Sequence, residues 1–197
     1  MKYLKKLFNI SNKEDKEDKE IQKQEVDLSL DDLFVHNFIK KGGKFLYCLE
    51  KDEIFENVKN ILLENKWKSI LVTNPKLITF LNEKEIYIDS NHKKSIPFFT
   101  TCEHLIADRG NILFSSNQLK STKLSEFSEN FIVFATTSQL VQNTGEGLTG
   151  IKTNCKNTLP TNISALKDFE INKEDDNSLN FGNSSAKNLY LLLLEDL

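Results

Sequence analysis

The polar side chains best suited to chemistry in this 197-residue sequence lie between residues 100 and 111, directly after a predicted strand. Open α/β sheets bind ligands beyond the carboxyl ends of their strands, so this position favours a binding or active site. Glu103 could act as a nucleophile or a base, Asp108 as a base or a hydrogen-bond acceptor, and Arg109 as the partner of an anion. The other ligand-binding candidates in this segment are Thr101, Gly110 and Asn111. The alternative is structural, because the same residue types also form tight turns and helix caps.

A second candidate site lies at residues 181–189, where small residues precede a predicted strand. Free backbone N–H groups in such a segment can hold an anionic group, and Lys187 adds a positive charge. The candidate ligand-binding residues here are Gly182, Ser184, Ser185 and Lys187. The alternative is an ordinary loop that enters the next element, with Asn183 or Ser184 as its cap.

The sequence contains no motif that is typical of a metal site or a nucleotide-cofactor site. Its three cysteines are widely spaced without a Cys-x-x-Cys pair, which predicts reduced thiols and argues against an iron–sulfur cluster held by this chain alone. Cys102 and His104 supply two ligands, fewer than a zinc site needs. The Gly145-x-Gly147 pair completes no nucleotide-binding pattern. We therefore predict neither a metal nor a cofactor.

Composition narrows the class of protein further. The 26 Lys and Arg against 29 Asp and Glu give a net charge of −3, which provides no electrostatic case for nucleic acid as a partner. No apolar run approaches the roughly 20 residues of a membrane-spanning helix, and the first residues lack a signal-peptide core. We expect a cytoplasmic protein without a transmembrane segment.

The chain divides near residue 25. Residues 1–10 place apolar side chains at helical spacing between lysines, and residues 11–24 are almost wholly charged or polar. We predict a flexible or helical charged extension over residues 1–25, with docking to a partner or a membrane surface as the functional alternative. A single α/β domain is predicted over residues 26–197.

Within that domain, helical and strand patterns alternate, which predicts a largely parallel sheet flanked by helices. Helices are predicted from residue 30 to the Gly42-Gly43 pair, over residues 52–65, and from Pro75 behind the cap Asn74. Strands are predicted at 44–49, 69–73, 85–88, 98–101, 112–115, 131–135 and 189–194. Residues 102–107 are compatible with one helical turn, residues 137–141 indicate the start of a helix, and residues 142–163 read as loop or broken helix.

Both polar segments resemble parts of one protein family, the lactate-utilisation (LUD) domain family. Residues 100–116, TTCEHLIADRGNILFSS, are similar to its Thr-rich strand, Ala-Asp/Glu-x-Gly turn and apolar strand. Ala107, Asp108, Gly110, Asn111 and Ile112 carry this match. Residues 182–189 are similar to the family's Gly-Pro-Ser-x-Thr-Ala-Asp-Ile segment, with asparagine at position 188 where the family usually has aspartate.

The resemblance implies an α/β fold of the NagB/RpiA/CoA-transferase group and a place beside proteins of the lactate-utilisation protein C type. Those proteins act with iron–sulfur redox subunits in a system that oxidises L-lactate to pyruvate. The chain would then be an accessory subunit or a ligand-binding module of such a system, with a small anionic ligand. The alternative is an enzyme of the CoA-transferase or sugar-phosphate-isomerase type, in which Glu103 or Asp108 reacts and Lys187 helps to hold a phosphate. We expect the turn near residue 108 and the stretch near residue 184 to meet in one pocket.

Overall fold

The computed structural model describes residues 28–82, 86–89, 95–154, 159–170 and 186–196. The predicted extension over residues 1–25 therefore lies outside the described residues. The described strands are β1 (Lys44–Cys48), β2 (Ile70–Val72), β3 (Ile88–Asp89), β4 (Phe98–Thr101), β5 (His104–Ile106), β6 (Asn111–Ser115), β7 (Asn130–Thr136), β8 (Leu140–Val141), β9 (Ile163–Leu166) and β10 (Asn188–Leu194). The described helices are α1 (Leu30–Lys40), α2 (Lys51–Glu64), α3 (Pro75–Asn82), α4 (Ser116–Leu119) and α5 (Thr144–Asn154).

A six-stranded parallel sheet in the order β1-β10-β7-β4-β2-β3 forms the centre of the molecule. Its strands bury both faces, and β10 shows why its sequence is apolar without interruption. Leu189, Leu191 and Leu193 belong to one core, while Tyr190 and Leu192 belong to the core on the opposite face. The predicted α/β class with a parallel sheet and flanking helices is confirmed.

Local signals in the sequence place the first helices correctly. The Ser29 hydroxyl accepts a hydrogen bond from the Asp32 N–H at 3.3 Å and caps α1, which ends before Gly42 at a φ of +87°. The Asn74 side chain accepts from the Lys76 N–H at 2.9 Å, and Pro75 opens α3. Among the described residues, no helix has both the length and the apolar character needed to cross a bilayer.

A smaller sheet in the order β8-β5-β6-β9 covers one face of the central sheet together with α1. Two predictions in this half are wrong. Residues 102–107 contain strand β5 rather than a helical turn, and residues 137–141 form a 3-10 turn followed by strand β8. Residues 142–163, apart from 155–158 outside the described residues, contain helix α5 and the first residue of β9. β5 forms a hairpin with β6 and also pairs with β8, while β8 and β9 take their backbone hydrogen bonds from strands distant in the sequence, which no local pattern indicates.

The connections of the central sheet leave toward opposite faces. Helices α2 and α3, which follow β1 and β2, pack on one face. The hairpin β5–β6 and the segment from β8 to β9, which follow β4 and β7, lie over the other face. Neighbouring strands β2 and β4 therefore flank the topological switch point, where open α/β sheets form a crevice at the carboxyl ends of their strands.

Candidate functional site

Glu103 lies at this switch point, two residues beyond the end of β4. Its backbone N–H donates to the Leu113 carbonyl at 2.8 Å, which joins it to β6. Three side chains donate to its Oε1 atom: the Ser115 hydroxyl at 2.5 Å, the Asn117 amide at 3.0 Å and the Gln118 amide at 3.1 Å. These contacts hold the carboxylate in one orientation at the carboxyl edge of the sheet. We call Glu103 with Ser115, Asn117 and Gln118 the Glu103 cluster.

Two helix-capping pairs hold Glu103 from different sides. Gln118 accepts from the Ser115 N–H at 2.8 Å through its Oε1 atom, which leaves its Nε2 group to donate to the Glu103 carboxylate. Gln139 accepts from the Thr136 N–H at 2.9 Å in the same way. Its Nε2 group donates to the Cys102 carbonyl at 2.7 Å and to the Glu103 carbonyl at 3.2 Å. One glutamine therefore fixes the side chain of Glu103, and the other fixes its backbone.

Neither glutamine is among the site residues predicted from the sequence. Each belongs to a pattern that is readable in the sequence, Ser-x-x-Gln at residues 115–118 and Thr-x-x-Gln at residues 136–139, which is typical of a helix start. The pattern identifies the cap that the glutamine Oε1 atom forms. It does not indicate which carbonyl or carboxylate accepts the hydrogen bond from the Nε2 group. A third element also reaches this edge, because the Thr73 hydroxyl after β2 donates to the Gln118 carbonyl at 3.3 Å.

The chemistry available at this cluster follows from its asymmetry. The hydrogen bonds that described residues donate to the Glu103 carboxylate all go to Oε1. Its Oε2 atom can therefore accept a hydrogen bond from a ligand hydroxyl or amine, take up a proton, or attack an electrophilic carbon. Thr101 is half-buried at the end of β4, in register with Phe134 of β7, and is the predicted ligand-binding residue nearest in sequence to Glu103.

Asp108 and Arg109 do not reach the Glu103 cluster. Strand β5 separates them from Glu103 by three residues of extended chain, about 10 Å, and the turn at residues 107–110 lies at the other end of the hairpin. Both side chains are exposed, and the Arg109 Nε atom lies 3.8 Å from an Asp108 carboxylate oxygen. An exposed pair at this distance contributes little to stability.

The turn itself is docked on helix α1. The Asn37 amide donates to the Ala107 and Asp108 carbonyls at 2.9 and 3.2 Å. Gly110 has a φ of +61°, and a Cβ atom added there would lie 2.4 Å from the Phe38 backbone nitrogen. Asn111 is buried, and its Oδ1 atom accepts from the Lys41 ammonium at 2.7 Å. The residues that carry the family resemblance therefore have a packing role in this structure.

Lys187 lies at the opposite edge of the central sheet from Glu103. It directly precedes β10, whose seven residues span roughly 23 Å. Its side chain is buried, its Nζ atom donates to the Phe127 carbonyl at 3.3 Å, and the same atom lies 5.5 Å from the centre of the Phe131 ring. Glu103 and Lys187 therefore do not share one site.

The turn at residues 107–110 and the residues before β10 approach the same part of the molecule. Burial lowers the pKa of the Lys41 ammonium, while the nearby Asp168 carboxylate acts in the opposite direction and Arg109 adds to the lowering. The Asp168 carbonyl in turn accepts from the Lys187 N–H at 3.1 Å. Gly182, Ser184 and Ser185 lie outside the described residues, so a pocket shared by this turn and the serine stretch stays a prediction.

Metal-binding side chains are dispersed. Within the described ranges, no three His, Cys, Asp or Glu side chains are grouped to hold a metal ion. Cys48 and Cys102 are buried free thiols, and burial raises the pKa of both. Cys155 lies outside the described residues.

The backbone beside the Glu103 cluster is strained at Lys120. This residue follows α4 with a φ of 56° and a ψ of −130°, and the Thr122 N–H donates to the Leu119 carbonyl at 3.1 Å across it. Such a turn strongly favours glycine at this position. We expect Lys120→Gly to raise the free energy of unfolding by about 1 kcal/mol and the melting temperature by roughly 2–4 °C.

The matched control is Lys123→Gly, at a residue with an ordinary φ of −77°. Glycine there only adds freedom to the unfolded chain and should cost about 0.5–1 kcal/mol. Calorimetry measures the free energy of unfolding of both variants. If both substitutions changed it in the same direction, Lys120 would be unstrained.

Comparison with known proteins supports the fold. The sequence matches no family model and no curated protein. The structure is similar to the crystal structure of a DUF162 family protein from Deinococcus radiodurans, with a TM-score of 0.54 and 13% sequence identity. The similarity covers 86% of this chain and 99% of that chain. The protein therefore has an α/β fold of the kind seen in that DUF162 family protein.

Proposed function

We propose that this protein is a LUD-domain protein that serves as a ligand-binding accessory subunit of a lactate-utilisation-like redox system. DUF162 is the LUD-domain family, and the fold similarity to a DUF162 protein over nearly its whole length is the observation that carries the proposal. The match of residues 107–112 to the family signature adds support, because those residues form a turn that only glycine at position 110 permits.

The ligand site of this proposal is the carboxyl edge of the sheet at the Glu103 cluster. The switch point between β2 and β4 is where open α/β sheets bind ligands, and Oε2 of Glu103 can accept a hydrogen bond there. A small hydroxy acid such as L-lactate offers one hydroxyl donor to that oxygen. Electron transfer in this proposal belongs to iron–sulfur subunits that bind the protein.

Purification from the native host tests the accessory role. We expect the tagged full-length chain to retain a cysteine-rich partner that contains iron and acid-labile sulfide in stoichiometric amounts. The control is an unrelated protein with the same tag from the same host. Recovery of the chain without any iron-containing partner, across several extraction conditions, would remove the accessory role.

A second candidate function is an enzyme of the CoA-transferase or sugar-phosphate-isomerase type. The fixed orientation of the Glu103 carboxylate favours it, since a nucleophile or a general base needs to be held in place and the donors among the described residues bind Oε1 and leave Oε2 for a ligand. Asp108, exposed in the turn on α1, has no comparable set of donors to its carboxylate among the described residues. Glu103 is therefore the stronger candidate of the two.

A thermal-shift screen tests the ligand site under both proposals. We expect L-lactate, a CoA ester or a sugar phosphate at about 100 times its Kd to add about 2.7 kcal/mol of stability, or roughly 5–11 °C in melting temperature. Glu103→Gln should lose most of this shift, and Asp108→Asn should keep it. If none of the three compounds stabilises the wild-type protein, the enzyme hypothesis is rejected. If Glu103→Gln retains the full shift in melting temperature, the ligand does not bind at Glu103.

A further inference from the structure

Asp196, two residues beyond β10, binds the 3-10 turn that follows β7. One carboxylate oxygen accepts from the Thr137 hydroxyl at 2.7 Å and from the Ser138 N–H at 2.9 Å. The other oxygen accepts from the Ser138 hydroxyl at 2.6 Å, and the Asp196 N–H donates to the Thr137 hydroxyl at 3.1 Å. Four hydrogen bonds thus connect one short exposed segment to one turn.

The same turn ends in Gln139, which holds the backbone of Glu103. Thr137–Gln139 is a single 3-10 turn, and the Gln139 amide donates to the Cys102 and Glu103 carbonyls. The hydrogen bonds of Asp196 therefore fix the backbone of the turn whose last residue, Gln139, is hydrogen-bonded to Glu103. Together these hydrogen bonds cross the carboxyl ends of β10, β7 and β4, which are consecutive strands of the central sheet.

The central sheet itself does not need this connection. β7 and β10 pair at seven positions, and β7 and β4 pair at four, all through backbone groups. Asp196 is exposed beyond these ladders. Its hydrogen bonds with Ser138 and Thr137 hold the pKa of the Asp196 carboxyl well below its usual range, as expected when hydroxyl and N–H groups donate to the charged form.

We infer that Asp196 is a positioning residue for Glu103, because it fixes the Thr137–Gln139 turn that holds the Glu103 backbone at the carboxyl edge. The inference depends on the proposed function only in taking Glu103 as the group that faces the ligand. The contacts themselves exist without a ligand, so the two ideas can fail separately.

The test uses the full-length ¹⁵N-labelled protein and no ligand. In Asp196→Ala we expect shifted resonances for the Glu103 amide and the Gln139 side-chain amide, and exchange of the latter with solvent faster by roughly tenfold. Asp196→Asn keeps the shape but weakens the acceptor, so it should show a smaller change in the same direction. If Asp196→Ala does not fold, Asp196→Asn alone decides.

Asp168→Ala provides the control, because Asp168 is also exposed but lies at the amino edge beside Lys41. It should leave the Glu103 and Gln139 signals unchanged. The inference would be overturned if the resonance shifts in Asp196→Ala were confined to residues 136–138 and 194–195 and exchange at Gln139 were normal. Asp196 would then only join two neighbouring segments. A failed ligand screen with a positive result here would count against the proposed function alone.

Discussion

Gly110→Ala is expected to lower the free energy of unfolding by about 3 kcal/mol or more. An alanine at a φ of +61° is strained, which costs roughly 1 kcal/mol or more, and its Cβ would lie 2.4–2.8 Å from three backbone atoms of Asn37 and Phe38. Backbone atoms of a helix cannot move aside as a flexible side chain can, so the overpacking adds a further 1–3 kcal/mol. Urea unfolding should show a lower midpoint with an unchanged slope.

The same substitution at Gly145 is the matched control. Gly145 lies in α5, and an added Cβ would meet only the Asn143 side-chain oxygen at 3.1 Å. Alanine there should leave the stability unchanged or raise it by up to about 1 kcal/mol. Equal effects at the two glycines would mean that the turn at residues 107–110 is not pressed against α1 in solution.

Phe131→Ala should be the most damaging truncation in the core, at about 3–5 kcal/mol. The ring is fully buried on β7 and makes edge contacts with three other rings: Phe98 at 5.3 Å, and Phe114 and Phe127 at 6.2 Å. Its removal leaves a cavity below the smaller sheet and takes away the ring over which the Lys187 ammonium lies.

Two further variants separate the loss of buried volume from the loss of the aromatic ring. Phe131→Leu retains much of the volume without the ring, so it should cost about 1.5 kcal/mol. Leu63→Ala, at a side chain that is 76% exposed on α2, should change stability by no more than about 0.5 kcal/mol. Denaturant unfolding of the three variants is the measurement, and a loss below about 1 kcal/mol in Phe131→Ala would contradict the packing described for β7.

The first half of the fold was predictable because its signals are local. Ser29, Asn74 and the Gly42-Gly43 pair cap or end helices through contacts with residues two to five positions away. Strands β1, β2 and β4 each contain a run of apolar residues. The segment that contains helix α5 was predicted only as loop or broken helix, because its three glycines disfavour a continuous helix. In the structure two of those glycines allow close packing: Gly147 lies against Leu113 and Ile106, and Gly150 against His104.

The candidate site was predictable only in part. The position of Glu103 follows from the strand before it, whereas its donors come from the end of β6, from α4 and from the turn after β7. Nearness in sequence was misleading for Asp108 and Arg109, because a strand of three residues takes them to the other end of the hairpin. Lys187 resembled an anion partner because of its charge, but its burial beside Phe127 and Phe131 depends on long-range packing.

The position of β1 has a consequence for biosynthesis. β1 borders β10 alone among the described strands, and the paired residues Lys44 and Tyr190 are 146 positions apart. At ribosomal rates of about 5–20 residues per second, Phe45 and Leu46 wait on the order of ten seconds for their neighbour to be translated. During that interval the nascent chain presents an unpaired apolar edge, the kind of surface that chaperones recognise and that promotes aggregation when expression is fast.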